Sequence, residues 1–206
     1  MSLQANKERI EAAFCRLRAG KMIIITDEQS REDEGDLVMA AERITPETMN
    51  FMIRHGSGIV CLPMAPALLD RLRIPQMVTD NGARFQTPFT VSIEAATGVT
   101  TGVSASDRAR TVLAAVADDA TADDVRMPGH VFPLRAQPGG VIARPGHTEA
   151  SVDMMQMAGL KPATVICEVM QEDGEMCRGA ALQRFANQYD LPIISMQEII
   201  RYRYAH

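Results

Sequence analysis

Residues 30–42, SREDEGDLVMAAE, place four acids, Glu32, Asp33, Glu34 and Asp36, beside Arg31 at the lip of an apolar run. Carboxylates at that density repel one another unless water or a cation lies between them. Hard divalent cations take oxygen ligands, and Mg²⁺ uses one or two carboxylates with water or substrate oxygens completing its shell. Side chains alternate along an extended backbone. Glu32, Glu34 and Asp36 therefore converge on one side if this loop is extended, with Asp33 on the other. A solvated acidic turn would have the same composition. Arg31 adds a guanidinium that orients carboxylates or meets an anionic substrate.

Three other places have chemical potential. RPGHT, residues 144–148, directly precedes a helical pattern. Helix N-termini carry unpaired N–H groups and a positive dipole end. Arg144 supplies a forked donor, Pro145 stiffens the turn, Gly146 admits close backbone approach, and Thr148 either caps the helix or binds an anion. A capped helix after a turn is the plainer alternative. The PGH of residues 128–130 is repeated at 145–147, so two of the four histidines, His130 and His147, sit in like turns. Imidazole suits proton transfer near neutrality and metal ligation alike. Glu168 lies inside the apolar run ATVICEVM, where alternation puts Ile166, Glu168 and Met170 on one face. A carboxylate there needs a cation, a proton or a hydrogen-bonded partner. A buried salt bridge to an arginine would also satisfy it. Cys61 reads as a small buried hydrophobe, and Met154, Met155 and Met157 as core packing.

The elements that must position these residues alternate along the chain. Ile10, Ala13, Phe14 and Leu17 recur at helical spacing before Gly20. MIIIT and DLVMAAE flank the acidic loop as strands. TPETMNFMIRHG has threonine at the N-cap, proline at the first helical position and a terminal glycine. GIVCLPM and FTVSIEA are strands, and SDRARTVLAAVAD is a helix capped by Ser106 or Asp107. Residues 127–146 are rich in proline and glycine, with short apolar pieces between. A helix over TEASVDMMQMAG, a strand over ATVICEVM, a turn at EDGE, a helix over GAALQRFANQY, a strand at PIISM and a helical C-terminus follow. One mixed α/β domain accommodates this order without a linker. The net charge of −5 and the lack of a basic stripe argue against general nucleic-acid binding. No apolar run spans a membrane, and the charged N-terminus has none of a signal peptide's regions. Four cysteines without metal-ligand spacing read as free thiols of a cytoplasmic protein.

REDEGDLVMAAE, RHGSGIVCLPM, FTVSIEAATGVTTGVSASDRARTV, PGHVFPLRAQPGGV, RPGHTEASVDMMQMAGLKPATVICEVM and FANQYDLPIISMQEIIRYR together resemble the 3,4-dihydroxy-2-butanone 4-phosphate synthases of riboflavin biosynthesis, over about residues 20–202. The resemblance implies an α+β fold, a single three-layer α/β/α domain around a mixed twisted sheet, spanning residues 1–206 without a GTP cyclohydrolase II domain. It implies a lyase that converts D-ribulose 5-phosphate to L-3,4-dihydroxy-2-butanone 4-phosphate and formate through an enediol and a metal-assisted 1,2-carbon shift. The cofactor it implies is Mg²⁺ or Mn²⁺, and the active unit a homodimer with shared sites. Glu32 and His147 match the metal ligands. Arg31, Asp36 and residues 144–148 match substrate contacts, the loop holding the phosphate. Glu168 matches a substrate-binding and acid/base carboxylate, and His130 an essential histidine reaching the site across the dimer. Glu34 and Cys61 match positions associated with the site. The acidic loop is the expected lid. Gln29 and Ser30 stand where relatives commonly carry acids, which implies one tight metal site and a weaker second one. The same residues would also serve a metal-dependent sugar-phosphate phosphatase or a non-catalytic sugar-phosphate binding protein.

Overall fold

The computed structural model of the chain describes residues 2–28 and 30–206. The short apolar and β-branched runs become strands β1 (Ile23–Thr26), β2 (Gly35–Ala40), β3 (Cys61–Met64), β4 (Ile93–Ala95), β5 (Val125–Arg135), β6 (Thr164–Glu168) and β7 (Ile193–Ser195). They form one sheet in the order β4-β5-β3-β6-β2-β1-β7. It is mixed: β3–β5 and β1–β7 are parallel and the other neighbours antiparallel.

Helices cover both faces. Alternation along β1 sends Ile24 to one side and Ile23 and Ile25 to the other, and all three are fully buried. The Ile24 side packs under α2 (Pro46–Phe51), α3 (Pro66–Arg71), α4 (Ala105–Ala115) and α6 (Gly179–Gln188), through Met49, Leu69, Val112 and Leu182. The Ile23 side packs under α1 (Leu3–Arg18), α5 (His147–Met157) and α7 (Met196–Ala205), through Phe14, Met154 and Ile199. Burying each such side chain contributes about 1.5–3 kcal/mol, so two apolar cores back the sheet that carries the site. The expected three-layer α/β/α architecture is the observed one. Met154 and Met155 are core residues, with Met157 packed against them.

Some elements differ from their sequence patterns. The cap of α4 is Ser104, whose hydroxyl accepts from the Asp107 N–H at 3.0 Å. Asp107 instead turns its carboxylate to the preceding loop, accepting from Gly102 N–H and Thr100 Oγ1. Residues 125–135 are a continuous strand despite two prolines, because the cross-sheet partners β3 and β4 take only part of its backbone. The TPETMNFMIRHG helix is α-helical only to Phe51 and ends in a π-helical turn over Met52–Gly56. All four cysteines are free, and only Cys15 is exposed. Among the described residues no helix is long and apolar enough to cross a membrane.

Candidate active site

The acidic loop folds around one residue, Asp27, at the end of β1. Its carboxylate accepts from Glu34 N–H at 2.9 Å, Glu32 N–H at 3.1 Å and Arg31 Nη1 at 2.8 Å. Arg31 also bonds the Glu32 carboxylate and lies 5.4 Å from the centre of the Phe85 ring. The loop is not extended throughout, since Asp33 has a φ of 56°. Convergence is nonetheless achieved. Glu32, Glu34 and Asp36 all line one cleft, while Asp33 faces Arg178. Arg178, at the N-cap of α6, donates to the carbonyls of Asp33 and Glu32 and braces the loop from outside.

The register of β2 and β6 sets Asp36 directly opposite Glu168. Like charges in that position destabilise a sheet unless a proton or cation intervenes. Burial, with the negative charges of Glu168, Glu34 and Glu32, pushes Asp36 up to about 7 against the pull of His147. Glu168 has no arginine partner among the described residues. Its Oε2 accepts from Ile59 N–H at 2.8 Å, over Gly58, where a Cβ would overlap the carboxylate. The buried salt bridge that the sequence left open is therefore replaced by a backbone donor. Ile166 shares the Glu168 side of the strand, as alternation requires.

The third wall is the start of α5, whose first nine residues are all buried although five of them are polar. Each of the deeper polar side chains has a partner: Glu149 binds Gln137 N–H and Arg144 Nη1, and Asp153 accepts from Val141 N–H. His147, at the first helical position, lies 3.5 Å from Glu32 through Nδ1, and its Nε2 is buried without a partner among the described residues, as is Asp36 Oδ1. Burial opposes charge on this imidazole, but Asp36, Glu32 and Asp27 outweigh it and raise His147 to about 9. Among the same contacts, burial acts to raise Asp27 and Glu32. The Glu34 N–H and the His147 charge draw Asp27 below its ordinary value, and a hydrogen bond to His147 with the Arg31 charge does the same for Glu32. Glu34 is raised by burial and by its acidic neighbours.

Asp27, Glu32 and His147 each offer one ligand atom, all within 4.8 Å of one another. That donor set, two carboxylate oxygens and an imidazole nitrogen with an orphaned buried nitrogen, fits a divalent cation. Glu32 and His147 are thus together, as the resemblance implied, and Asp27 is a third donor the sequence did not single out.

Thr148 and Arg144 line the same cleft. Thr148 is not the helix cap; Gly146 holds that position without a side-chain bond. The space beside Gly146 is occupied by the Arg144 guanidinium, which donates to Glu149 at 2.6 Å and to the Phe85 carbonyl at 2.8 Å. Pro145 is exposed and does not line the cleft. Cys61 lies in the cleft wall, and burial with the charges of Glu168 and Asp36 pushes its thiol well above the usual range. His130 is absent from this cleft: it is exposed and paired with Glu94. Thr87, from a segment without a sequence signal, and Phe89, at the start of FTVSIEA, which is a strand only over Ile93–Ala95, complete the lining. Of the two loop positions singled out by the resemblance, Gln29 lies outside the described residues, and Ser30 Oγ donates to Glu28 at 3.3 Å. Glu28 is itself held by Gln197, away from the cleft.

Such a cleft, with carboxylates and an imidazole gathered at the ends of paired strands beside a helix N-terminus, is an enzyme-type site whose donors can hold a metal ion. The family model for 3,4-dihydroxy-2-butanone 4-phosphate synthase matches residues 11–202. The chain belongs to the 3,4-dihydroxy-2-butanone 4-phosphate synthase family. It is 53% identical over 199 residues to the synthase of Serratia proteamaculans, covering 97% of this chain and 92% of that one. A solved structure of a synthase in complex with two magnesium ions superposes with a TM-score of 0.89 at 40% identity, covering 94% of this chain and 95% of that one. A two-domain synthase from A. baumannii matches with a TM-score of 0.91 at 48% identity, covering 95% of this chain and 57% of that longer one.

Proposed function

We propose that this chain converts D-ribulose 5-phosphate to L-3,4-dihydroxy-2-butanone 4-phosphate and formate, as a cytoplasmic enzyme acting as a homodimer. The observation that carries this reading is the convergence of Glu32, His147 and Asp27 beside the opposed pair Asp36 and Glu168. The phosphate end of the substrate fits the N-terminus of α5, where Thr148 and Arg144 face the cleft. That anchoring positions the reacting carbons against the carboxylates.

Glu32 and His147, with Asp27 beside them, would hold Mg²⁺ or Mn²⁺, which supplies positive charge where an enediolate develops negative charge. Glu168 and Asp36 handle protons. They face one another across two strands, and Asp36 at about 7 is poised to take or give a proton near neutrality. Arg31 orients Glu32 and presents a fork to the substrate's oxygens. Glu34 adds negative charge at the mouth, and Cys61 acts as wall and steric boundary in its neutral form. The acidic loop is the closing element, with Arg178 as its outer brace. His130 joins from a second copy of the chain, completing a site that lacks it in one copy.

The test is a product assay with D-ribulose 5-phosphate, with and without chelator. Formate release that stops with chelator and returns with Mg²⁺ is the expected result. Inorganic phosphate without formate would identify a phosphatase, and binding without either product a sugar-phosphate sensor. Each of these would overturn the proposal. Titration with Mg²⁺ is expected to show one tight ion, because Ser30 and the outward-turned Glu28 offer the cleft no further carboxylate.

A further inference from the structure

Outside the cleft, a second pairing of a carboxylate with an imidazole is built into β4 and β5. Glu94 Oε1 lies 2.6 Å from His130 Nδ1. The two side chains are 23% and 48% exposed, so as a surface ion pair they add little to folding. Their surroundings are nevertheless arranged to hold them. Gly102, at φ 82°, leaves room for the Glu94 carboxylate that any Cβ would fill. The loop bearing Gly102 is locked by Asp107, which accepts from Gly102 N–H at 3.0 Å and Thr100 Oγ1 at 2.8 Å. Gly129, next to His130, packs its backbone against that of Ile93 and Glu94, and its N–H donates to Ser92 Oγ at 3.1 Å.

Direction matters as much as distance. Ile93 pairs with Val131, but Glu94 then pairs with Arg126, so β5 bulges between them and the Glu94 and His130 side chains meet over that bulge at the edge of the sheet. Leu134, a cleft residue, lies four positions on from His130, roughly 13 Å along an extended strand. Within one copy this imidazole is thus out of the cleft's reach. A carboxylate accepting from Nδ1–H fixes the neutral tautomer with its lone pair on Nε2, which has no partner among the described residues.

We propose that Glu94 is a positioning residue for His130, setting the tautomer and direction in which the imidazole presents Nε2 to the cleft of a second copy. This rests on the role given to His130 above. The experiment uses the full chain and its Glu94→Gln, Glu94→Asp, His130→Ala and double Glu94→Gln/His130→Ala variants. It measures formate release and the ¹⁵N shifts of the His130 ring. Glu94→Gln is expected to lower kcat at least ~10-fold with KM for D-ribulose 5-phosphate within about twofold of wild type. The wild-type ring is expected to show Nδ1–H alone and the Glu94→Gln ring a mixture, because an amide can donate or accept. Glu94→Asp should recover part of the lost rate, and the double variant should be no slower than His130→Ala. Wild-type turnover by His130→Ala would remove the role of His130 and this inference with it. An inactive His130→Ala beside a Glu94→Gln of wild-type rate, an unchanged ¹⁵N spectrum, or a double variant slower than His130→Ala would sink the Glu94 inference alone.

Discussion

At the scale of single residues, Glu168 carries the most specific expectation. It sits opposite Asp36, so one of the two must shed its charge or share a counter-charge. Its environment holds it by a neutral backbone donor, the Ile59 N–H, and not by an arginine that would quench it. Glu168→Gln keeps an oxygen for that N–H and removes the repulsion. We therefore expect formate release to fall at least ~100-fold while the thermal midpoint stays level or rises, read by calorimetry beside the product assay. Turnover at the wild-type rate would end the acid/base role assigned to this side chain. A loss of rate accompanied by a large fall in the midpoint would instead make Glu168 a structural residue.

At the scale of elements, the acidic loop behaves as a unit because Asp27 fastens it in three places. Asp27→Asn loses the charge that holds Arg31 and offers donors where acceptors are needed. It should weaken Mn²⁺ binding about 10–100-fold and cost about 1–3 kcal/mol of stability. Glu28→Ala, whose carboxylate turns outward to Gln197, should do neither. Mn²⁺ titration followed by electron paramagnetic resonance checks both, and equal affinities for Asp27→Asn and wild type would refute the idea that this residue builds the metal end of the cleft. The difference between Asp27 and Glu28 was not legible in the sequence, where they are adjacent acids in one run. Only the chain reversal at Asp33 and the end of β1 turn one inward and the other outward. Strand alternation, in contrast, made the shared direction of Ile166 and Glu168 readable, because a period of two survives any packing, whereas Glu32, Glu34 and Asp36 meet although the loop breaks that period at Asp33. The register that sets Asp36 against Glu168 was not readable, since it depends on a pairing between segments some 130 residues apart. Nor was the roof over residues 75–89, whose Phe85 and Thr87 have no periodicity to mark them. The prolines of β5 hid that strand, because proline in a run usually signals a strand's end or edge.

At the scale of the whole molecule, the sheet divides the residues of the proposed site into two groups. One end of the central strands gathers metal donors, carboxylates and the N-terminus of α5, while His130 sits outward on β5 beside the edge strand β4. Met127 and Val103, in the same two segments as His130 and Gly102, expose apolar side chains there. An apolar surface flanking a fixed imidazole is what a second copy would cover, and a two-fold pairing would bring each His130 to the other chain's cleft. Complementation tests this arrangement directly. Glu32→Ala chains lack the metal end but keep His130, and His130→Ala chains have the reverse, so each alone should be inactive. After subunit exchange in equal amounts, half of the dimers are mixed. Each mixed dimer has one cleft with both parts intact and one with neither, so about a quarter of wild-type formate release should return. Differently tagged chains establish that exchange has taken place. Mixed dimers isolated by both tags and still inactive would show that each chain must complete its own site, and the division of labour read from β5 would have to be abandoned.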